Sequence, residues 1–193
     1  MNRRAALVLG VVTWLAGCAQ LSHVATGEVA IKQRLLVTVD KPWNQFDRIA
    51  GDATPTWTQE GVSVDTLRFH VGLKDGELIA PTPNEPKGQK PLAFRTSMQA
   101  SDVVALFEAY YSRDGSRFTL DKVSPATFIG QSGFMFEFSS IRKSDEVRLR
   151  GIGWGAVRNG ELFVVTYTAP RLAFFPRGVE SATSIAKSAR VSG

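Results

Sequence analysis

Side chains with the chemistry for catalysis or metal capture are few in this sequence: two histidines, His23 and His70, one cysteine, Cys18, and scattered acids. His70 has Asp65 and Asp75 within five residues, the types that make a general base and the carboxylate that orients it. A nucleophilic serine would complete such a set. The nearest serine in a flexible setting is Ser132, within Gly130-Gln131-Ser132-Gly133, and no GxSxG elbow presents it. Two separated histidines form neither an HExxH site nor a histidine triad, and the acids never take EF-hand spacing. No catalytic residue, metal site or cofactor is therefore expected. The run Gly151-Ile152-Gly153-Trp154-Gly155 is dense enough in glycine to suggest a dinucleotide site, but it continues into Asn159-Gly160 and a strand, not a helix. Those glycines are expected to let a covering helix or loop approach a strand, with Trp154 filling the space.

Binding chemistry is better represented. Arg171-Leu172-Ala173-Phe174-Phe175-Pro176-Arg177 places two adjacent aromatics between arginines, the composition of interface hot spots. Arg171, Phe174, Phe175 and Arg177 are candidate partner-binding residues, with Trp43, beside Pro42 and Phe46, as a fifth near the other end. Packing of the two rings beneath the final helix is the competing reading. Arg148 and Arg150 share a strand face and could meet an anionic group.

The N-terminus reads as an address. Arg3 and Arg4 precede an apolar run from Ala5 to Leu15, broken only by Gly10 and Thr13, and then Ala16, Gly17 and Cys18. This is the pattern of a secretory signal peptide. The run is about 11 residues, whereas a membrane-spanning helix needs about 20. Leu15-Ala16-Gly17-Cys18 resembles the lipobox of bacterial lipoproteins, and Cys18 is the only cysteine in the chain. The resemblance implies that the thiol is diacylated, the peptide is cut before it, and the new amine is acylated. Three acyl chains, at roughly 0.8 kcal/mol per buried CH2, exceed what stable anchoring needs. Ala19, and not an aspartate, follows the cysteine, which for such lipoproteins implies the periplasmic face of the outer membrane. The expected organisation is a signal peptide over 1–17, a lipid-anchored tether over 18–33 and one periplasmic domain over 34–193. Cleavage removes Arg3 and Arg4 from the 23 basic residues and none of the 18 acidic ones, leaving a net charge of +3. With no long Lys/Arg block, nucleic acid is not an expected partner.

At 44% hydrophobic and 21% charged residues the composition is that of a globular protein, excluding disorder, collagen and coiled coil. Leu35, Val37 and Val39 alternate as a strand, ended near Pro42. From Gly61 to Leu73 the alternation changes phase, predicting a bulge near Asp65 and Thr66, with His70 on the face opposite Leu67, Phe69 and Val71, toward solvent or under a loop. Pro81 to Pro91 is too rich in proline for helix or central strand and reads as a long loop. Ser101 is placed to cap a helix carrying Val103, Leu106, Phe107, Tyr110 and Tyr111 on one face. Strands follow at 117–121, 134–139, 147–158 and 161–168, the last two joined by the Asn159-Gly160 hairpin turn. A second helix is predicted from about Val179 to Arg190, with Ala182, Ile185, Ala186 and Ala189 toward the core.

That order argues an α+β fold, an antiparallel sheet meander covered by helices. Phe134-Met135-Phe136-Glu137-Phe138, then Arg150-Gly151 through Asn159-Gly160, then Val164 to Pro170 before a terminal helix, resembles the PsbP/DcrB-like and Mog-type domains. The resemblance implies an α-β-α sandwich and a lipid-anchored or extrinsic protein that assists a larger assembly. It transfers no catalytic residue. The expected function is a non-enzymatic envelope lipoprotein that binds another envelope protein or aids its assembly, held to the membrane through Cys18. The alternative is a periplasmic small-ligand-binding protein or hydrolase with a cleft near His70.

Overall fold

A computed structural model of the chain describes residues 21–46, 52–80 and 91–192. The leader with Cys18, and the proline-rich stretch up to residue 90, lie outside the described residues. In chain order come β1 (Leu21–Val24), β2 (Gly27–Ile31), β3 (Leu35–Val39), β4 (Trp43–Phe46), β5 (Thr56–Thr58) and β6 (Thr66–Leu73). Then follow α1 (Ala100–Tyr111), β7 (Arg117–Phe128), β8 (Gln131–Ile141), β9 (Arg148–Arg158), β10 (Glu161–Pro170), α2 (Phe175–Ser188) and β11 (Arg190–Val191).

Eight strands form one open antiparallel sheet in the order β1-β4-β5-β6-β10-β9-β8-β7, and β11-β3-β2 form a second, small sheet. Helix α1 covers one face of the large sheet, packing with Leu73, Leu162, Val164 and the phenylalanines of β8. Helix α2 and the small sheet cover the other face, where Leu67, Phe69, Val165, Tyr167 and Ala169 meet Leu35, Val37, Ala182 and Ile185. Strand β10 is consequently buried on both faces from Leu162 to Ala169, as a central strand must be when both sides are covered. The fold is the α+β sandwich expected.

Several local expectations change. Residues 21–31, expected as part of a tether, are β1 and β2: Leu21 to Val24 pair with Phe46 to Trp43, and Gly27 to Ile31 with Val39 to Leu35. Gly27, at φ +118°, separates the two strands, each too short to show a period. The phase change after Gly61 is a turn, not a bulge. There Val64 and Asp65 N–H groups both donate to the Gly61 carbonyl, and the Asp65 carboxylate gathers the Gln59 and Glu60 N–H groups and the Thr58 hydroxyl. The bulge occurs at the far end of β6, where register shifts against β10 between Leu162 and Val164. Gly72 takes φ +64° there, and Leu73 falls into the α1-side core while Leu67, Phe69 and Val71 stay on the α2 side. Helix α1 is capped by Gln99 in place of Ser101, its N–H donating to Asp102 at 2.9 Å. Helix α2 begins four residues earlier than expected, at Phe175, with Pro176 in its first turn.

The glycines of β9 serve a purpose that the covering-helix expectation missed. Phe134, Phe136 and Phe138 pair directly with Gly155, Gly153 and Gly151 across the β8–β9 ladder. Each phenyl ring lies over its glycine: a Cβ on Gly153 would stand 2.3 Å from Phe136 Cε1, and one on Gly151 2.1 Å from Phe138 Cζ. The neighbouring strand, and not a helix, occupies the space the glycines leave. Rings 136 and 138 stack 5.8 Å apart at 19°, and Phe118 continues the stack beyond Phe138 at 4.8 Å. Because Phe136 is wedged between its neighbours and Phe107 of α1 at 5.7 Å, it cannot swing away from an added methyl. Gly153→Ala is expected to lower stability by about 1–3 kcal/mol in urea unfolding. Combined with Phe136→Leu, it should cost less than the two single changes added together.

Candidate functional site

The α1-side core contains polar groups that the sequence reading did not assemble. Arg68, His70 and Thr166 project from β6 and β10 toward α1, which brings Tyr110 and Tyr111 down onto them. Arg68 Nη1 bonds Asp52 Oδ2 at 2.8 Å and also donates to the Tyr110 hydroxyl, which itself donates to Asp52 Oδ2 at 3.1 Å. Tyr111 donates to Thr166 Oγ1 at 3.0 Å. Burial is the largest single influence on the Asp52 carboxyl and opposes its ionisation. The Thr54 N–H at 2.8 Å, the Arg68 guanidinium and the Tyr110 hydroxyl together outweigh it and hold the carboxyl below its ordinary range. Burial pushes the Tyr110 hydroxyl well up, so it stays protonated and able to donate. This is a closed clamp of ion pair and hydroxyls that fixes α1 to the sheet.

His70 is 2% exposed and lies beneath the loop segment carrying Ile79, the second of the two places expected for it. Its Nδ1 sits 2.7 Å from the Ile79 carbonyl. A carbonyl can only accept, so Nδ1 carries the proton. Nε2 is buried and has no hydrogen-bond partner among the described residues, and the ring meets Phe107 edge-on at 4.9 Å. Desolvation is the largest cause of a pKa lowered to about 4. No serine hydroxyl reaches Nε2. Ser132 lies on β8, three strands from β6 in the sheet order, about 14 Å by strand spacing. His70 does border a cleft of about 440 Å³, lined also by Lys32, Thr54, Gly76, Glu77 and Ile79. Among the described residues no group of three or more His, Cys, Asp or Glu side chains could hold a metal ion.

The five candidate partner-binding residues separate. Trp43 is 1% exposed and meets Tyr167 edge-on at 6.3 Å. Phe175 is buried against Tyr167 at 5.7 Å, with the Arg150 guanidinium 5.2 Å above its ring. Both belong to the core and offer no surface, the outcome the competing reading anticipated for the ring pair. Phe174 is half-buried against that core, and Arg177 covers its ring at 5.5 Å. Arg171 and Arg177 are exposed. The apolar group that stands out is Leu172, 88% exposed. Period reading assigns no face outside regular elements, which is why the segment could not be resolved residue by residue.

No protein-family model matches the chain, and no curated protein matches it by sequence. Among solved structures, that of cyanobacterial PsbP (CyanoP) from Synechocystis sp. PCC 6803 is similar, with TM-score 0.57 and 13% identity over 94% of this chain and 98% of that one. LpqN of Mycobacterium tuberculosis, described as involved in cell envelope biogenesis, aligns at TM-score 0.36 and 11% identity over 93% of this chain and 88% of that one. The likeness to PsbP is one of fold: the chain has a PsbP-like α+β architecture with a large antiparallel sheet and two helices.

Burial of His70 has a pH signature. Its folded pKa of about 4 lies below its ordinary 6.5, so the unfolded chain takes up the proton first as the medium is acidified. Stability is unaffected above pH 6.5 and falls as pH drops from there to about 4, by roughly 3 kcal/mol in all. Urea titrations between pH 7 and 4 should show this loss in the wild type. His70→Gln should flatten the curve over that window, leaving the carboxylate contribution at lower pH.

Proposed function

We propose that this chain is a non-enzymatic lipoprotein of the bacterial envelope, anchored through acylated Cys18 to the periplasmic face of the outer membrane, and that its α+β domain binds another envelope protein or aids its assembly. The observation that carries the anchor is Leu15-Ala16-Gly17-Cys18 after a basic and then apolar leader, with no other cysteine in the chain. Among the described residues no helix is long and apolar enough to cross a membrane. Support for a binding role comes from the PsbP-like fold, whose sequence resemblance implies a protein that assists assemblies, and from the exposed Arg171-Leu172 segment before α2. The polar residues of the core support it differently. Asp52, Arg68 and Tyr110 are committed to one another, and His70 Nδ1 to Ile79.

Cells grown with a clickable palmitate should label the wild type, and Cys18→Ser should lose all label and retain its leader. A photoreactive residue at Leu172 should then trap one dominant envelope protein, with the yield falling at least several-fold when Arg171 becomes Glu. Label that persists on Cys18→Ser would overturn the anchor, and trapping that never rises above background would overturn the adapter surface. The cleft beside His70 favours a second reading, a small-ligand site. Under the adapter reading, His70→Ala leaves the trapped partner unchanged.

A further inference from the structure

Three arginines at one end of the large sheet stand in a single row. Arg117 on β7 pairs with Ile141 on β8, and Ile141 pairs with Arg148 on β9. Beyond the Pro170–Leu149 pair, the Arg171 N–H donates to the Arg148 carbonyl at 2.9 Å and continues the β9–β10 ladder by one residue. Residues directly opposed across a ladder point to the same face, so Arg117, Arg148 and Arg171 all project from one side. By strand spacing the row spans about 15 Å. It belongs to a groove of about 280 Å³ that Thr119, Ser139 and Ile141 also line.

All three arginines are exposed, and among the described residues none of their guanidinium groups makes an ion pair or hydrogen bond. The next row inward is different: Arg150, two residues from Arg148, bonds Glu137 at 2.7 Å and covers the Phe175 ring. One carboxylate reaches the groove lining: Asp121 accepts the hydroxyl of Ser139 at 2.7 Å. Like charges opposed on a sheet repel, and Arg148 and Arg171 are so opposed. A ligand carrying negative charge would relieve that repulsion on binding.

We propose that this groove binds a phosphate ester, with Arg148 and Arg171 gripping the phosphate oxygens, Arg117 approaching from the edge strand, and the Thr119 hydroxyl as a further donor. Guanidinium forks match phosphate oxygens in bidentate pairs, and three cations suit a doubly charged group better than a single carboxylate. The same chemistry is offered by a phospholipid headgroup and by a small soluble ester. Leu172, 88% exposed next to Arg171, is an apolar group placed as interfacial binders place theirs beside cations. The site is independent of Cys18 and stands whether or not the anchor reading holds.

The test is thermal unfolding of the full chain in neutral detergent at fixed ionic strength. Inorganic phosphate, glycerol phosphate, and micelles doped with phosphatidylglycerol or with phosphatidylcholine are added in turn, with acetate and chloride as controls. The expected result is a rise of several degrees in Tm with phosphate or with a phosphate ester and none with the controls. A rise with glycerol phosphate assigns a soluble ester, and a rise confined to phosphatidylglycerol micelles assigns a lipid headgroup. In Arg148→Gln/Arg171→Gln the response should vanish while the Tm without ligand stays equal or rises, because repulsion is removed. A merely structural role for these arginines would lower that Tm. Arg117→Gln, on the edge strand, supplies a second variant and should weaken the response several-fold. No rise beyond the acetate control, or a rise that persists in the double variant, overturns the proposal.

Discussion

Three phenyl rings of β8 lie flat over three glycines of β9, and the height at which α1 rides above the sheet depends on this contact. Side chains normally stand perpendicular to a sheet and hold a covering helix away. Here the glycines of one strand make room for the rings of the next to lean across, which lowers the surface and leaves a row of ring faces for Phe107 and Tyr111 to meet at 5.7 and 4.9 Å. The arrangement also fixes register. A slip of one residue between β8 and β9 would put the rings over Ile152, Trp154 and Ala156, where there is no room for them.

Charge inside the α1-side core is met by the same helix: Tyr110 and Tyr111, at its C-terminal end, bring their hydroxyls onto Arg68, Asp52 and Thr166. A buried ion pair contributes little net stability in general, while removal of one partner leaves an expensive isolated charge. The clamp therefore specifies where α1 lies more than it stabilises the fold, and the aromatic contacts supply the favourable free energy. His70, neutral and surrounded by Phe107 and Tyr110, fills a place in this layer that a purely apolar residue could occupy except for its bond to Ile79.

Strands and helices with a strong period were legible in the sequence: β3, β8, β9, β10 and α1 fall where alternation or the 3.6 period puts them, and α2 does so except for its first turn. Short strands were not, since β1 and β2 have four and five residues with mostly exposed side chains. The clamp was illegible for a different reason. Asp52 and Arg68 sit 16 residues apart and Tyr110 another 42 beyond, and only the packing of α1 over β6 brings them together. The phenylalanine and glycine alternations were each visible, yet their pairing depends on the length of the β8–β9 connection. Trp43 and Phe175 show the limit of composition as a guide, because aromatics near arginine serve a core as readily as an interface.

The two faces of the sheet solve the same packing problem from opposite sides, and this separates their charges. On the α1 face the sheet provides the glycines. On the α2 face the helix does, since Gly178 in its first turn lies against the Tyr167 hydroxyl, where a Cβ would stand only 2.1 Å away. Helix α2 lies over β10 and packs through Ala182, Ile185 and Ala186. Its first turn holds Phe175 over Tyr167, and Arg150 caps that ring while pairing with Glu137. The helix therefore covers the sheet only as far as the Arg150 row. Arg117, Arg148 and Arg171 lie one row further out, and the first turn of α2 contains no acid. Exposure of that cationic row follows directly from where the helix starts, and Phe175 with Pro176 fixes the start.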